Sequence, residues 1–124
     1  MSVQPRAAGV LAPRTLLDKI WQAHVVVDRG DGHQLLYVDR HLLHDGSATG
    51  FALLRGRGLP VRRPDLALAT PDHFTASNAR TLEAIPEPRH RQLVDNLRSN
   101  TQQAGIRLFF LDDQRQGIAM GGGV

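Results

Sequence analysis

Residues 89–111 read RHRQLVDNLRSNTQQAGIRLFFL and decide the fold, because a helix pattern passes directly into a strand pattern there. Apolar and small side chains recur at helical spacing over 89–104, which predicts the best-defined helix of the chain. The inner face of this helix is predicted to carry Leu93, Val94, Leu97, Thr101 and Ala104. Gly105 is a natural helix stop, and the run Ile106–Leu111 predicts a strand.

Shorter patterns of both kinds precede this stretch. Helix patterns occupy Thr15–His24 and the stretch from Ser47 to Leu54, and strand patterns occupy Val25–Val27, Leu35–Asp39 and Leu66–Thr70. Leu35–Asp39 is predicted to be a buried strand, and Phe74–Pro88 a loop with one helical turn. Short strands that alternate with helices predict a single small three-layer α/β domain whose strands are mostly parallel.

The length and composition fit one compact domain. The chain has 124 residues, of which 41% are hydrophobic. We divide it into a flexible lead (1–14), one domain (15–118) and a glycine-rich tail (119–124). It contains no apolar stretch of about 18 residues or more, and no secretory signal pattern, so we expect a cytoplasmic protein that does not enter a membrane.

The charged residues and the absence of cysteine limit the possible functions. The net charge is +3, but the arginines are scattered and aromatic residues make up only 5%, so we expect no nucleic-acid partner. The cysteine count of zero excludes disulfides, thiolate nucleophiles and an iron–sulfur cluster held by this chain. We therefore expect no cofactor and no metal. One or two arginines suffice to bind a small carboxylate substrate.

Two polar segments follow predicted strands, where ligands usually bind in α/β sheets. The first is Asp72-His73, in which a carboxylate and an imidazole could act as a proton relay. Neighbours on an extended segment point in opposite directions, so we expect these two side chains not to touch. In the alternative interpretation, Asp72 caps the next turn and His73 is an ordinary surface residue.

The second polar segment reads DRHLLHD at 39–45 and is the densest ionisable cluster. Asp39 and Arg40 could form an ion pair, and His44 with Asp45 a dyad. His41 and His44 are spaced so that a helix could place both on a metal, but no third ligand is evident. The alternative is a solvated loop between a strand and a helix. Either Asp45 or Ser47 could cap the helix that follows.

Six blocks of sequence stand in a recognisable order: TLLDKIWQAHVV at 15–26, LLYVDRHLLHD at 35–45, GLPVRRP at 58–64, ATPDH at 69–73, GIRLF at 105–109 and QGI at 116–118. Together they resemble the amino-terminal part of the large subunit of 3-isopropylmalate dehydratase, in the aconitase superfamily. The resemblance covers nearly all of 15–118. It implies an α/β fold like the amino-terminal subdomain of that family.

The resemblance also implies a reaction and a site. The family removes and re-adds water on hydroxy di- or tricarboxylates, with the matching Asp-His pair in its active site. Asp72 and His73 thereby become the candidate catalytic residues, with His44 on a neighbouring loop. Our candidates for substrate binding are Arg40, His41 and Arg62. However, the family's glutamine after the His-acidic pair and its later histidine have no counterparts, so we do not expect ordinary dehydratase activity from this chain alone.

Two functional hypotheses remain. In the first, the chain is a small, metal-independent lyase or isomerase that acts on a carbonyl or carboxylate metabolite, in a specialised biosynthetic pathway, through acid–base chemistry at Asp72 and His73. In the second, it is a non-catalytic fragment or split subunit that docks onto a partner polypeptide. Exposed apolar surface would be covered by a partner subunit or in a homodimer.

Overall fold

A computed structural model of the chain describes residues 13–76 and 78–117. Contacts between residues divide the chain into two units, the first ending at Val38 and the second beginning at Asp39. The predicted tail, 119–124, lies outside the described residues, as does the predicted lead apart from Pro13 and Arg14. The division into lead, domain and tail therefore stays a prediction.

The first unit contains one helix and a hairpin. Helix α1 spans Leu16–His24, and strands β1 (Val25–Asp28) and β2 (Gln34–Leu36) pair antiparallel. Thr15 begins the helix with a capping box: its hydroxyl accepts the N–H of Asp18, whose carboxylate accepts the N–H of Thr15 at 2.9 Å. The predicted first helix and first strand are confirmed.

The apolar side chains of the first unit are exposed. No residue of α1 is buried, and large apolar side chains are exposed throughout the unit: Leu16, Leu17, Ile20, Trp21, Val26, Val27, Leu35, Tyr37 and Val38. The prediction of a buried strand at Leu35–Asp39 is wrong, since the strand ends at Leu36 and Leu35 is 58% exposed. A two-stranded hairpin has no second layer of its own that could bury these side chains.

The second unit is a parallel α/β layer. Its elements are β3 (His41–Leu43), α2 (Ala48–Gly56), β4 (Ala67–Ala69), α3 (Pro88–Ala104) and β5 (Arg107–Leu108). Single 3-10 turns lie at Asp45–Ser47, Pro64–Leu66 and Leu82–Ala84. The three strands are parallel in the order β3-β4-β5, with Leu43 beside Ala69 and Ala69 beside Leu108. The predicted α/β class with mostly parallel strands is confirmed.

Helix α3 agrees closely with its sequence pattern. Val94, Leu97 and Thr101 are buried, and Gly105 ends the helix in the left-handed region at φ 69°. The strand after it is shorter than the predicted Ile106–Leu111 and covers only two residues. It can pair only as far as the short neighbouring strand β4 extends, although the N–H of Phe109 still donates to the carbonyl of Ala69 at 2.8 Å.

Helix α2 begins and ends near the predicted positions, but its predicted cap is wrong. Phe51 is buried on its inner side. Ser47 stands at the N-cap position without a capping hydrogen bond from its side chain. Asp45 does not cap the helix either, because its carboxylate bonds to a distant loop.

Two apolar clusters hold the second unit together. The first consists of Leu43, Phe51, Ala67, Ala69, Leu97 and Ile106 and joins the sheet to α2 and α3. The second consists of Ala79, Ile85, Val94 and Leu111, with Phe74, Leu82 and Phe110 packed against it. Helix α3 contributes to both clusters, so it fixes Phe74, Ala79 and Ile85 relative to the sheet. Within the described part of the chain, no helix is long and apolar enough to cross a membrane.

Candidate acid–base site

The carboxyl edge of the parallel sheet brings two polar segments together. Strands β3 and β4 run in register and end at Leu43 and Ala69, so the residues that follow them emerge at the same edge. The N–H of Thr70 extends the pairing by donating to the carbonyl of Leu43 at 3.0 Å. His44-Asp45 and the Asp72-His73 pair are therefore neighbours in space.

Asp45 is the organising residue of this edge. Its side chain is buried, with 1% exposure. Oδ1 accepts the N–H groups of Asp72 at 3.0 Å and His73 at 3.1 Å, and Oδ2 accepts the N–H of Phe74 at 2.7 Å. Three N–H donors compensate the buried carboxylate and wrap the loop around it. The sequence indicated Asp45 only as a helix cap or a dyad partner, because its bonding partners lie 27 to 29 residues away.

Asp72 and His73 contact each other. Nδ1 of His73 lies 3.0 Å from Oδ2 of Asp72. The expectation that the two side chains point apart is wrong, because the backbone turns around the Asp45 carboxylate and is not extended there. The pair lies at the surface, with side-chain exposures of 43% and 58%. It can therefore meet a substrate from solvent.

The rings of His44 and His73 stack, with centroids 4.2 Å apart and an interplanar angle of 21°. Nδ1 of His44 accepts the N–H of Gly46 at 3.0 Å, so the proton of the neutral ring lies on Nε2. In His73 the carboxylate of Asp72 favours the proton on Nδ1, which leaves the lone pair on Nε2. The two rings thus present one N–H donor and one basic nitrogen side by side.

The loop that carries Asp72 is also held from the other side. The hydroxyl of Thr70, a buried residue, accepts the N–H of Gly117 at 3.0 Å. The side-chain amide of Gln116 donates to the carbonyl of Pro71 at 3.2 Å and accepts from Arg80 at 3.2 Å. These contacts restrict the backbone on which the acid–base pair stands.

A small cavity adjoins His73. It has a volume of about 380 Å³ and is lined by the loop after β4 and the start of α3, including His73, Phe74, Ile85, Glu87 and His90. The ring of His90 packs on Phe74 with centroids 4.8 Å apart. Glu87 and His90 were missed by the sequence analysis. No motif connects them to Asp72-His73, and only the fold of the intervening loop brings them there.

The predicted substrate-binding residues lie elsewhere. None of Arg40, His41 and Arg62 is among the described residues that line the cavity beside His73. His41 and Arg62 line a second, larger cavity near the amino end of β3. Arg40 is exposed and donates to the carbonyl of Asp39 at 2.9 Å. A role of these three residues in substrate binding stays a prediction.

The donor set does not fit an iron–sulfur cluster. His44, Asp45 and His73 each offer a possible ligand atom, and these atoms lie within 4.8 Å of one another. However, both oxygens of Asp45 already accept backbone N–H groups, and Nδ1 of His44 accepts another. Iron–sulfur clusters are held by thiolates, and the 124 residues include no cysteine. The reactive groups that this edge of the sheet brings together are imidazoles and carboxylates.

A parallel α/β layer with an imidazole pair at its carboxyl edge defines a candidate acid–base protein. Residues 18–119 match the family model described as the aconitase family (aconitate hydratase), and the chain belongs to that family. Over 106 residues it is 45% identical to 3-isopropylmalate dehydratase large subunit 1 of Bradyrhizobium diazoefficiens. The aligned stretch is 85% of this chain but 22% of that relative, so the chain spans about a fifth of the relative's length. No solved structure matches it.

Proposed function

We propose that the chain is a small lyase or isomerase that works without an iron–sulfur cluster on a metabolite bearing a carbonyl or carboxylate group. The reaction is a dehydration, an isomerisation or a related cyclisation, in a specialised biosynthetic pathway in the cytoplasm. The observation that supports it best is the stacked pair His44 and His73, whose hydrogen bonds favour opposite tautomers. Membership of the aconitase family supports the same reaction class.

His73 is the general base in this proposal. Its Nε2 removes the proton from the carbon next to the substrate's carbonyl or carboxylate group, and Asp72 stabilises the imidazolium through Nδ1–H. The electron pair of the broken C–H bond moves toward the carbonyl oxygen. The Nε2–H of His44, a neutral donor, stabilises the negative charge on that oxygen.

The proton is then returned by His73. In an isomerisation, its imidazolium gives the proton to a neighbouring carbon. In a dehydration, the imidazolium gives it to the departing hydroxyl, which leaves as water while the carbon–carbon double bond forms. Both routes return His73 to its neutral form. The cavity of about 380 Å³ beside His73 holds a small metabolite, and His90 offers a further polar contact there.

Deuterium exchange tests the proposal without a known substrate. The purified protein, confirmed to be free of iron, is incubated in D₂O with a panel of hydroxy dicarboxylates and 2-oxo acids, and exchange is followed by proton NMR. His73→Ala and Asp72→Asn should each slow the exchange by about 100-fold or more. His33→Ala removes an exposed imidazole in the hairpin turn and should leave the rate unchanged. Equal exchange in wild type and both site variants contradicts the proposal, as does no exchange with any panel member.

The exposed apolar surface of the first unit favours a second candidate function. Leu16, Leu17, Ile20 and Trp21 are exposed on α1 alone, and further apolar side chains are exposed on the hairpin. In this alternative the chain is a non-catalytic subunit that docks onto another polypeptide. The occupant is a second copy of the chain or a separate chain that carries the remainder of an aconitase-family large subunit.

Size-exclusion chromatography with light scattering tests the alternative. Self-association should be lost in Leu17→Asp and Trp21→Asp, while Lys19→Asp on the same helix controls for added negative charge. If the wild type is a monomer, a purified aconitase-family large-subunit remainder should bind it and fail to bind the two variants. If the chain stays a monomer and does not bind the large-subunit remainder, the docking function is contradicted.

A further inference from the structure

A second cavity, independent of the Asp72-His73 site, lies in the second unit. It has a volume of about 940 Å³, near the upper limit of about 1,000 Å³ for small-molecule sites. Its walls are mainly apolar: Leu43, Phe51, Leu54, Leu59, Val61 and Ile106. Its lining residues come from β3, from α2 and from the segments after α2 and α3.

Three polar groups in this cavity have no hydrogen-bond partner among the described residues. Oγ of Ser47 is buried without one. The guanidinium of Arg62 and the ring of His41, which also line the cavity, are exposed and engaged by no hydrogen bond or ion pair in the described chain. The next residue, Arg63, instead donates two hydrogen bonds to the carboxylate of Asp65, from Nε at 2.9 Å and from Nη2 at 2.7 Å. Arg62 therefore retains its full capacity to bind an anion.

Polar residues line the cavity at the start of β3 and beyond its end. His41 is the first residue of β3, and Leu43, two residues on, shares its face of the sheet. Ser47 follows the other end of that strand, which is about 10 Å long at the usual rise per residue. The cavity thus combines mainly apolar walls with two exposed basic side chains, those of Arg62 and His41.

We propose that this cavity binds a small amphipathic carboxylate. The carboxylate contacts Arg62 and His41, and the aliphatic chain lies against α2 and the sheet. No Asp or Glu is among the described residues that line the cavity, so its charge complements an anion and opposes a cation. The inference does not depend on the reaction proposed at His73 and stands or fails separately.

Isothermal titration calorimetry with three eight-carbon probes tests the charge requirement. Octanoate should bind at least about tenfold tighter than octanol, because its charge-assisted bonds to Arg62 are lost in the alcohol. Octylammonium should bind more weakly still. Arg62→Gln should cost about tenfold in octanoate affinity, while Arg57→Gln, an exposed arginine outside the cavity, should cost nothing. Asp72→Asn should also leave octanoate binding unchanged, which separates this site from the acid–base pair.

Methyl NMR on the same protein locates the probe. The methyl signals of Leu54, Val61 and Ile106 should shift with octanoate, while those of Ile85 and Leu111 in the other apolar cluster should not. The inference is overturned if octanoate does not bind at millimolar concentration, or if octanol binds equally well. Equal losses in Arg62→Gln and Arg57→Gln overturn it too, as do shifts confined to Ile85 and Leu111.

Discussion

The two units of the chain differ in what their apolar residues do. In the first unit, local sequence patterns such as the capping box at Thr15 specify a helix and a hairpin. Nevertheless, α1 buries no side chain. In the second, strands of two or three residues are held by two apolar clusters that α3 connects. Local signals can specify an element, but burial requires a second layer from elsewhere in the chain or from a partner.

The largest expected effect is a contrast between one large apolar residue of α3 and one of α1. Leu97→Ala should lower the free energy of unfolding by about 2–5 kcal/mol, because Leu97 is 2% exposed in the first apolar cluster. Trp21→Ala should cost about 0.5 kcal/mol or less, since Trp21 is 46% exposed. Urea unfolding followed by circular dichroism measures both. Equal losses would mean that α1 is buried in solution.

Asp45→Asn comes next and tests the polar anchor of the second unit. An amide has one oxygen in place of two and brings an N–H₂ group toward the N–H groups of the 72–74 loop. We expect a loss of about 2 kcal/mol in the free energy of unfolding, together with faster amide hydrogen exchange at His73 and Phe74. The matched control is Asp65→Asn, at an exposed carboxylate that pairs with its near neighbour Arg63. Loss of stability in the control alone would refute the anchoring role.

Gly46→Ala should have a smaller effect on stability and a specific effect on the imidazole pair. A Cβ at this position would lie 2.6 Å from Cε1 of the His44 ring, which must rotate away and leave His73. We expect a cost of about 1 kcal/mol and altered ring-proton shifts for both histidines in NMR spectra. Gly50→Ala is the control, since nothing lies within 4 Å of its new Cβ. Unchanged histidine signals in Gly46→Ala would show that the stack is absent in solution.

The smallest effect concerns the cap of α1 and its dependence on pH. Bonds from the hydroxyl and the N–H of Thr15 lower the pKa of Asp18 below its usual 3.8. Because the pKa is lowered on folding, the stabilisation of α1 is fully present above that value and is lost as pH falls through the lowered pKa. Thr15→Val should move the Asp18 pKa back toward 3.8, as followed by carboxyl-carbon NMR. An identical Asp18 titration curve in both proteins would show that the Thr15 hydroxyl does not bond to Asp18 in solution.

The sequence predicted best where the signals are local. The bounds of α1 and α3 follow from Thr15, Gly105 and helical spacing, all of which act within one turn. It predicted least where distant segments meet. The burial of Leu35 depended on a layer that the first unit does not supply, and the contact of Asp72 with His73 depended on a carboxylate 27 residues away. Glu87 and His90 reach the cavity only through the fold of the loop before α3.

The stacked imidazoles of His44 and His73 should present one N–H donor and one basic nitrogen at the edge of the second unit. Long-range ¹H–¹⁵N NMR of the purified protein, at a pH where both rings are neutral, reports directly which nitrogen of each ring carries the proton. We expect the Nδ1–H tautomer for His73, imposed by Asp72, and the Nε2–H tautomer for His44, imposed by the N–H of Gly46. Finding both rings in the common Nε2–H form, with Asp72→Asn leaving the His73 signals unchanged, would contradict it.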